Sequence, residues 1–331
     1  MKIIEFGKDG SEDRVERMKI LEFDGGHRPE RQRPKAKEEP VSVPGWRPAH
    51  VHRSGNSLKM HVLDLGKLRL DKNFMVANST VSTARNPNPP GQLIDIPVSA
   101  YYIEHPDGNV LFDTGCHPEW GGPNGRWPQS TQEIFPVIGG DECMLPARLE
   151  ALGVGPDQIR YVVLSHLHCD HAGCVEYFRK SKLIVHEDEF AGAYTHYALR
   201  DDSTPYIVND LERWSRLDLH WRRVGRKEPD QTLVDGVRLL NFGAGHAYGM
   251  LGVEVALRSQ NGVLLVSDAC YTAENYGPPM RPSGISYDSI GFARTIERIR
   301  AIAESKNAGV WYGHDAAQFE TLRKSTEGWY E

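Results

Sequence analysis

The chain is 331 residues long, enough to bury a sizeable core in one large domain or two modest ones. It is 39% hydrophobic and 25% charged, as ordinary soluble proteins are, and its formal net charge of -6 offers no general attraction to nucleic acid or to an anionic membrane. No stretch reaches the roughly 18 to 20 apolar residues of a membrane span, and the charge-rich start lacks the apolar run of a signal peptide, so a cytoplasmic location is expected, with no nucleic acid and no membrane as partner.

Residues 1–58 read as a peripheral, mixed-charge arm punctuated by Pro29, Pro34, Pro40, Pro44 and Pro48. Within it Met1-Lys-Ile-Ile-Glu-Phe6 nearly recurs as Met18-Lys-Ile-Leu-Glu-Phe23, through two short strands, a local duplication or chance. Residues 59–331 then alternate short apolar runs with amphipathic stretches, an α/β pattern in one domain. Strands are expected at Met60–Leu65, Pro97–Ile103, Val110–Phe112, Tyr161–Leu164, Leu183–Val185, Val237–Leu240, Leu251–Ala256, Val263–Val266 and Val310–Tyr312. Helices are expected at Pro146–Leu152, Cys174–Phe178, Asp188–Tyr194, Val208–Arg216 and Ile290–Ala303, with Pro146 opening the first and Ser289 capping the last.

Chemistry concentrates in Ser165-His-Leu-His-Cys-Asp-His-Ala-Gly173, directly after an apolar strand. Three imidazoles and a carboxylate so close together repel when protonated and demand solvation when neutral, and a metal resolves the conflict. In an extended segment alternate side chains share a side, so His166, His168 and Asp170 point together while His171 points elsewhere, and one loop feeds two neighbouring ions. Nitrogen and oxygen donors suit zinc, with iron, manganese or cobalt as other occupants, and the lack of a soft sulfur set argues against copper(I). Four residues cannot complete two coordination spheres. His246 in Gly243-Ala-Gly-His246, Asp268 after the strand Val263–Val266, and His314 in Tyr312-Gly-His-Asp315 sit where the missing donors are needed.

The cluster His166-X-His168-X-Asp170-His171, followed in order by a lone histidine, an aspartate and a lone histidine, resembles the metallo-beta-lactamase superfamily. Asp268-Ala-Cys-Tyr271, Gly313-His-Asp315 and Asp113-Thr-Gly115 narrow the likeness to the N-acyl-homoserine lactone lactonases, over residues 60 to about 320. The resemblance implies a four-layer αββα sandwich and two zinc ions, one held by His166, His168 and His246, the other by Asp170, His171 and His314, with Asp268 between them. Asp113 would orient a ligand imidazole. It also implies a small-molecule lactone substrate opened by a hydroxide bridging the metals, with Tyr271 donating a hydrogen bond to the oxyanion and Asp170 carrying a proton to the leaving alkoxide.

Other readings of the same centre are a hydrolase of gamma-butyrolactone or of an aromatic lactam, then a thioester hydrolase, then a metal-holding protein without turnover. A nuclease fits poorly with the net charge. Segments 73–97 and 187–214 are candidate pocket walls, with Tyr194, Tyr197, Tyr206 and Trp214 either lining an acyl channel or serving as core or dimer contacts. A homodimer is compatible with this reading. Cys169, inside the motif, reads as pocket wall rather than ligand. Cys116, Cys143, Cys174 and Cys270 complete an odd set of free thiols. His50 and His52 have an i, i+2 spacing but lie in the Pro-rich arm and read as solvated, and His27, His61, His105, His117, His186, His196 and His220 show no ligand pattern.

Overall fold

The structure is a computed structural model that describes residues 58–258 and 261–331, with two short strands near the start, β1 (Ile3–Ile4) and β2 (Ile20–Leu21). The chain divides into two units, Met1–Pro48 and Ala49–Glu331. In the first, Ile3 pairs antiparallel with Leu21 and Ile4 with Ile20, so the near-repeat supplies two strands. His27, His50, His52 and the five prolines of the expected arm lie outside the described residues.

The second unit is built on two sheets. β3 (Lys59–Asp71), β4 (Leu93–Glu104), β5 (Asn109–Phe112), β6 (Val137–Ile138), β7 (Ile159–Val163), β8 (Lys182–His186) and β9 (His220–Val224) form one, in the order β6-β3-β4-β5-β7-β8-β9. Pairing is antiparallel from β6 to β5 and parallel from β5 to β9. β10 (Gln231–Val234), β11 (Val237–Gly243), β12 (Met250–Val255), β13 (Val263–Ser267) and β14 (Gly309–Tyr312) form the other in sequence order, with only the last pair parallel.

Residue parity sorts the core into layers, because successive strand side chains face opposite sides. Val163 and Ile184 from the first sheet meet Val253, Val263 and Leu265 from the second in an apolar layer between the sheets. Their neighbours Val162, Leu183 and Val185 face outward and are covered by Leu149 of the helix Leu145–Ala151 and by Leu211 and Trp214 of the helix Val208–Arg216. On the far side Leu264 and Val266 pack under Phe292, Ile296 and Ile299 of the helix Ser289–Lys306. Each fully buried aliphatic side chain contributes about 1.5–3 kcal/mol, so these three layers carry most of the fold's stability. The result is the expected αββα sandwich.

One break in parity matters for the site. In β3, Leu63 and Leu65 belong to the outer layer, and so do Leu68 and Leu70, although an unbroken strand would put odd and even positions on opposite faces. The register slips between Asp64 and Lys67, and Gly66 sits there at φ +85° with Ile138 O only 2.7 Å from where a Cβ would be. This bulge, which only glycine tolerates, flips the strand so that Leu68 and Leu70 face the same side as Leu63.

Each expected strand of the second unit forms; most are longer than expected, while β7 stops at Val163 rather than Leu164 and β12 runs from Met250 to Val255 rather than from Leu251 to Ala256. β6, β9 and β10 escaped the sequence reading, being two residues long or carrying polar side chains without alternation. Two helix expectations change. Cys174–Phe178 makes only a 3-10 turn at Val175–Tyr177. The last helix is capped by Asp288, whose Oδ1 accepts from the N–H of Ile290 and Gly291, rather than by Ser289, which is its first helical residue. No helix among the described residues is long and apolar enough to cross a membrane.

Candidate metal centre

β7 delivers the histidine motif at its C-terminal end, and Asp113 fixes the way out of the strand. Its Oδ1 accepts from Ser165 N at 2.7 Å and its Oδ2 from Ser165 Oγ at 2.9 Å. The segment stays extended only as far as His168, which opens a single helical turn, Cys169–Ala172. The expected alternation therefore stops at His168. Asp170 and His171 lie on that turn, roughly 100° apart around its axis, and both reach the second half of the cluster. The remaining residues come from the other sheet. His246 follows β11 past Gly243 at φ +72°, Asp268 follows β13, and His314 follows β14.

All seven residues converge and all are buried. Donor atoms group as His166, His168 and His246, as His166, His171 and Asp268, and as Asp170, His171 and His314, each set within 4.8 Å. His246 Nε2 lies 2.9 Å from His168 Nδ1. Across the cluster His171 Nε2 and His314 Nε2 are 3.3 Å apart, and Asp170 Oδ2 is 3.4 Å from the first and 3.5 Å from the second. Asp268 stands between. Its Oδ2 is 3.3 Å from His246 Nε2 and 3.7 Å from His166 Nε2, while its Oδ1 is 3.0 Å from His314 Nε2 and 3.3 Å from His171 Nε2. One carboxylate thus offers one oxygen to each half.

The outward nitrogens of four of these rings are occupied, which fixes which nitrogen of each faces the centre. His171 Nδ1 donates to Asp113 Oδ2 at 2.9 Å, His314 Nδ1 to Pro97 O at 2.8 Å, and His246 Nδ1 to Ile285 O at 3.0 Å. His166 Nδ1 meets Ser165 Oγ at 2.9 Å. His166 Nε2 and Asp268 Oδ1, by contrast, are buried with no hydrogen bond among the described residues. Buried polar atoms are rarely left so, and two of them aimed into a nest of imidazoles and carboxylates fit a pair of cations.

The electrostatics differ between the two halves. Burial, with the neighbouring imidazoles, drives the pKa of His166 and His168 well below the usual histidine range, leaving neutral rings with free lone pairs. Burial opposes charge on His171 and His314, but the carboxylates of Asp170 and Asp268 outweigh it and raise both rings above the usual histidine range, favouring protons that bound cations would displace. Burial opposes charge on Asp170 too, but His171 and His314 outweigh it and hold its carboxyl down at about 2. At neutral pH Asp170 is an anion, suited to binding a cation and poorly suited to holding a proton.

Tyr271 is fully buried with its hydroxyl 2.5 Å from His246 Nδ1 and its ring against His246 and His314. Burial and the charges of Asp268 and Asp170 push its pKa well up, so the phenol keeps its proton. A small cavity lies beside the centre, lined by Leu68, Leu70, Met75, Ile96, Phe135, Cys169, Pro205 and Ile285 together with Tyr271 and five of the candidate ligands. Cys169 is pocket wall as expected. Of the two expected wall segments, 73–97 supplies Met75 and Ile96 and 187–214 supplies Pro205. The four aromatic residues do not line it. Trp214 is buried in the outer core, Tyr194 and Tyr197 pack against that core, and Tyr206 lies edge-on against His168, ring centres 4.7 Å apart. Leu68, Leu70, Phe135 and Ile285 were missed, being brought together only by the bulge and by loops distant in sequence.

A model of the metallo-beta-lactamase superfamily matches residues 93–296, and the chain belongs to that superfamily. Within it, the chain is 58% identical over 273 residues to a protein of Agrobacterium fabrum named N-acyl homoserine lactonase AiiB, covering 82% of this chain and 99% of that one. A protein of the same name from Rhizobium rhizogenes is 56% identical over the same length, with the same coverage. A solved structure of an N-acyl homoserine lactone hydrolase, with the product N-hexanoyl-L-homoserine bound at its catalytic metal center, shares 25% identity and a TM-score of 0.65 over 82% of this chain and 98% of that one.

Proposed function

We propose that this chain is a metal-dependent lactonase, with two zinc ions held by His166, His168, Asp170, His171, His246, Asp268 and His314, that opens the ring of N-acyl-homoserine lactones. The observation that carries the reading is Asp268, whose two oxygens each face one half of a donor set otherwise complete on both sides. The likeness to the two lactonases over nearly their whole length supports the choice of substrate.

When bound, the two cations supply Lewis acidity for the lactone carbonyl and bring the ionisation of water into the neutral range. The protein does the rest. Leu68, Leu70, Met75, Ile96, Phe135 and Ile285 form an apolar wall beside the centre, around a cavity of about 40 Å³ that must widen to admit an acyl chain. Tyr271, in the lining of the cavity, holds a protonated hydroxyl, and on turning from His246 toward substrate it donates a hydrogen bond to the carbonyl oxygen as charge gathers there. Asp170 borders the same cavity as an anion. It would take the proton of the attacking hydroxyl group once that oxygen has bonded to the carbonyl carbon, and return it to the alkoxide released as the ring C–O bond breaks. It is a weak base, so its role in holding metal outweighs that transfer.

The test is acid release by zinc-loaded protein, followed with a pH indicator on short-chain and long-chain acyl-homoserine lactones, gamma-butyrolactone and an aromatic lactam, beside a chelated control. Chelator-sensitive turnover of the acyl-homoserine lactones is expected. Activity confined to the other rings overturns the substrate, and silence on all of them with two metals bound overturns the lactonase reading.

A further inference from the structure

The helix Glu187–Leu199 begins with three acids, a common pattern at a positively polarised helix start. Glu187 and Asp188 fit it, remaining partly exposed and bonding Arg226 through its N–H and its Nε. Glu189 does not. Its side chain is wholly buried and makes no ion pair among the described residues. Burial pushes its carboxyl up to about 7 in spite of the hydrogen bonds it accepts. A buried carboxylate without a counter-charge is costly, and helix polarity alone does not require one to turn inward.

Its partners say what it holds. Oε1 accepts from Leu167 N at 2.9 Å, the backbone amide between His166 and His168. Oε2 accepts from Gly249 N at 3.3 Å, three residues past His246 and at the entrance to β12. That approach depends on glycine, since a Cβ at 249 would lie 2.0 Å from His186 Nδ1. Tyr206, whose ring lies edge-on against His168, turns its phenol to the same carboxylate. One side chain therefore spans two segments from different sheets, and these carry the three histidines of one half of the centre. No comparable tie reaches Asp170, His171 or His314 from Glu189.

We propose that Glu189 is a positioning residue for the half-site of His166, His168 and His246, setting the spacing between the motif loop and the His246 loop. The inference rests on the metal-centre reading of those histidines. Glu189→Gln keeps the shape and one acceptor oxygen but sets an NH2 group against one of the two amides. Only the half-site it spans is then loosened.

Zinc affinity is measured by competition with a chromophoric chelator on wild type, His168→Ala, Glu189→Gln and Glu189→Asp, with melting of each metal-free protein alongside. Wild type is expected to release zinc in two steps, and His168→Ala identifies which step belongs to its half-site. Glu189→Gln should weaken that step by about 10–100-fold and leave the other within about threefold, the size of effect seen when groups behind metal ligands are altered. Should Glu189→Gln fail to fold, Glu189→Asp, too short to reach both amides, carries the same expectation. Equal weakening of both steps, or of neither, overturns the proposal. Wild-type protein that binds no zinc overturns the metal centre itself and this inference with it.

Discussion

Asp113 Oδ2 accepts from His171 Nδ1 at 2.9 Å, and through that contact a residue that touches no candidate ligand atom decides which nitrogen His171 presents to Asp170, Asp268 and His314. Asp113 sits at φ +61°, outside the usual range for a side-chain-bearing residue, and also receives Ser165 Oγ and Ser267 Oγ. Replacing it with Ala frees the ring to take the other tautomer and removes the acceptor of Ser165 N and Ser165 Oγ, while Ser267 Oγ keeps Ser165 Oγ at 2.9 Å. Zinc affinity should fall by about 10–100-fold, read by chelator competition; an unchanged affinity would show that the ring needs no such orientation.

Asp268 supplies an oxygen to each half, so Asp268→Ala should cost metal on both sides at once. Zinc content by mass spectrometry of the native protein should drop below the wild-type stoichiometry, and turnover should vanish with it. A fully metallated, active variant contradicts the bridging role.

Tyr271→Phe removes one hydroxyl from a packed site. Metal content and thermal midpoint should stay near wild type, while kcat falls by about 100-fold, the usual worth of one oxyanion donor. Unchanged kcat removes the phenol from the mechanism. A loss confined to metal content assigns it instead to holding His246, with which it is already in contact.

The pH dependence of the metal-free protein should carry the signature of Glu189. Its carboxyl is raised by burial from 4.5 to about 7, so between these values the folded chain retains a proton that the unfolded chain has released. Stability from this group is then fully present below pH 4.5 and is lost as pH rises through 7, a change on the order of a few kcal/mol. Denaturant melts of wild type and Glu189→Gln across pH 4.5 to 8 should diverge in that direction, with the neutral variant flatter. Parallel curves would mean that the folded carboxyl titrates as it does in the unfolded chain.

The seven candidate ligands were legible because metal chemistry is local in residue type: few other demands place His-X-His-X-Asp-His after an apolar strand. Strands buried on both faces, such as β13 with Val263–Val266, announced themselves as unbroken apolar runs. Three kinds of information were absent. The bulge at Gly66, which brings Leu68 and Leu70 to the cavity, is a register shift that shows only once β3 and β4 are paired. The cavity wall also takes Phe135 and Ile285 from separate loops that lie outside both expected wall segments. Glu189 lay unremarked inside the expected helix Asp188–Tyr194, and nothing in Glu187-Asp-Glu189 reveals that the third acid turns inward.

The division of the centre between the two sheets bears on how the protein matures. His166 to His171 leave β7 of the first sheet, while His246, Asp268 and His314 hang from the second, and 143 positions separate His171 from His314. During synthesis the early donors are therefore made long before their partners, and an ion arriving then meets only a partial, weakly holding set. Metal binding at these residues would thus be a late event that waits for the second sheet to close on the first, and it would add to the apolar layer between the sheets by favouring the closed arrangement.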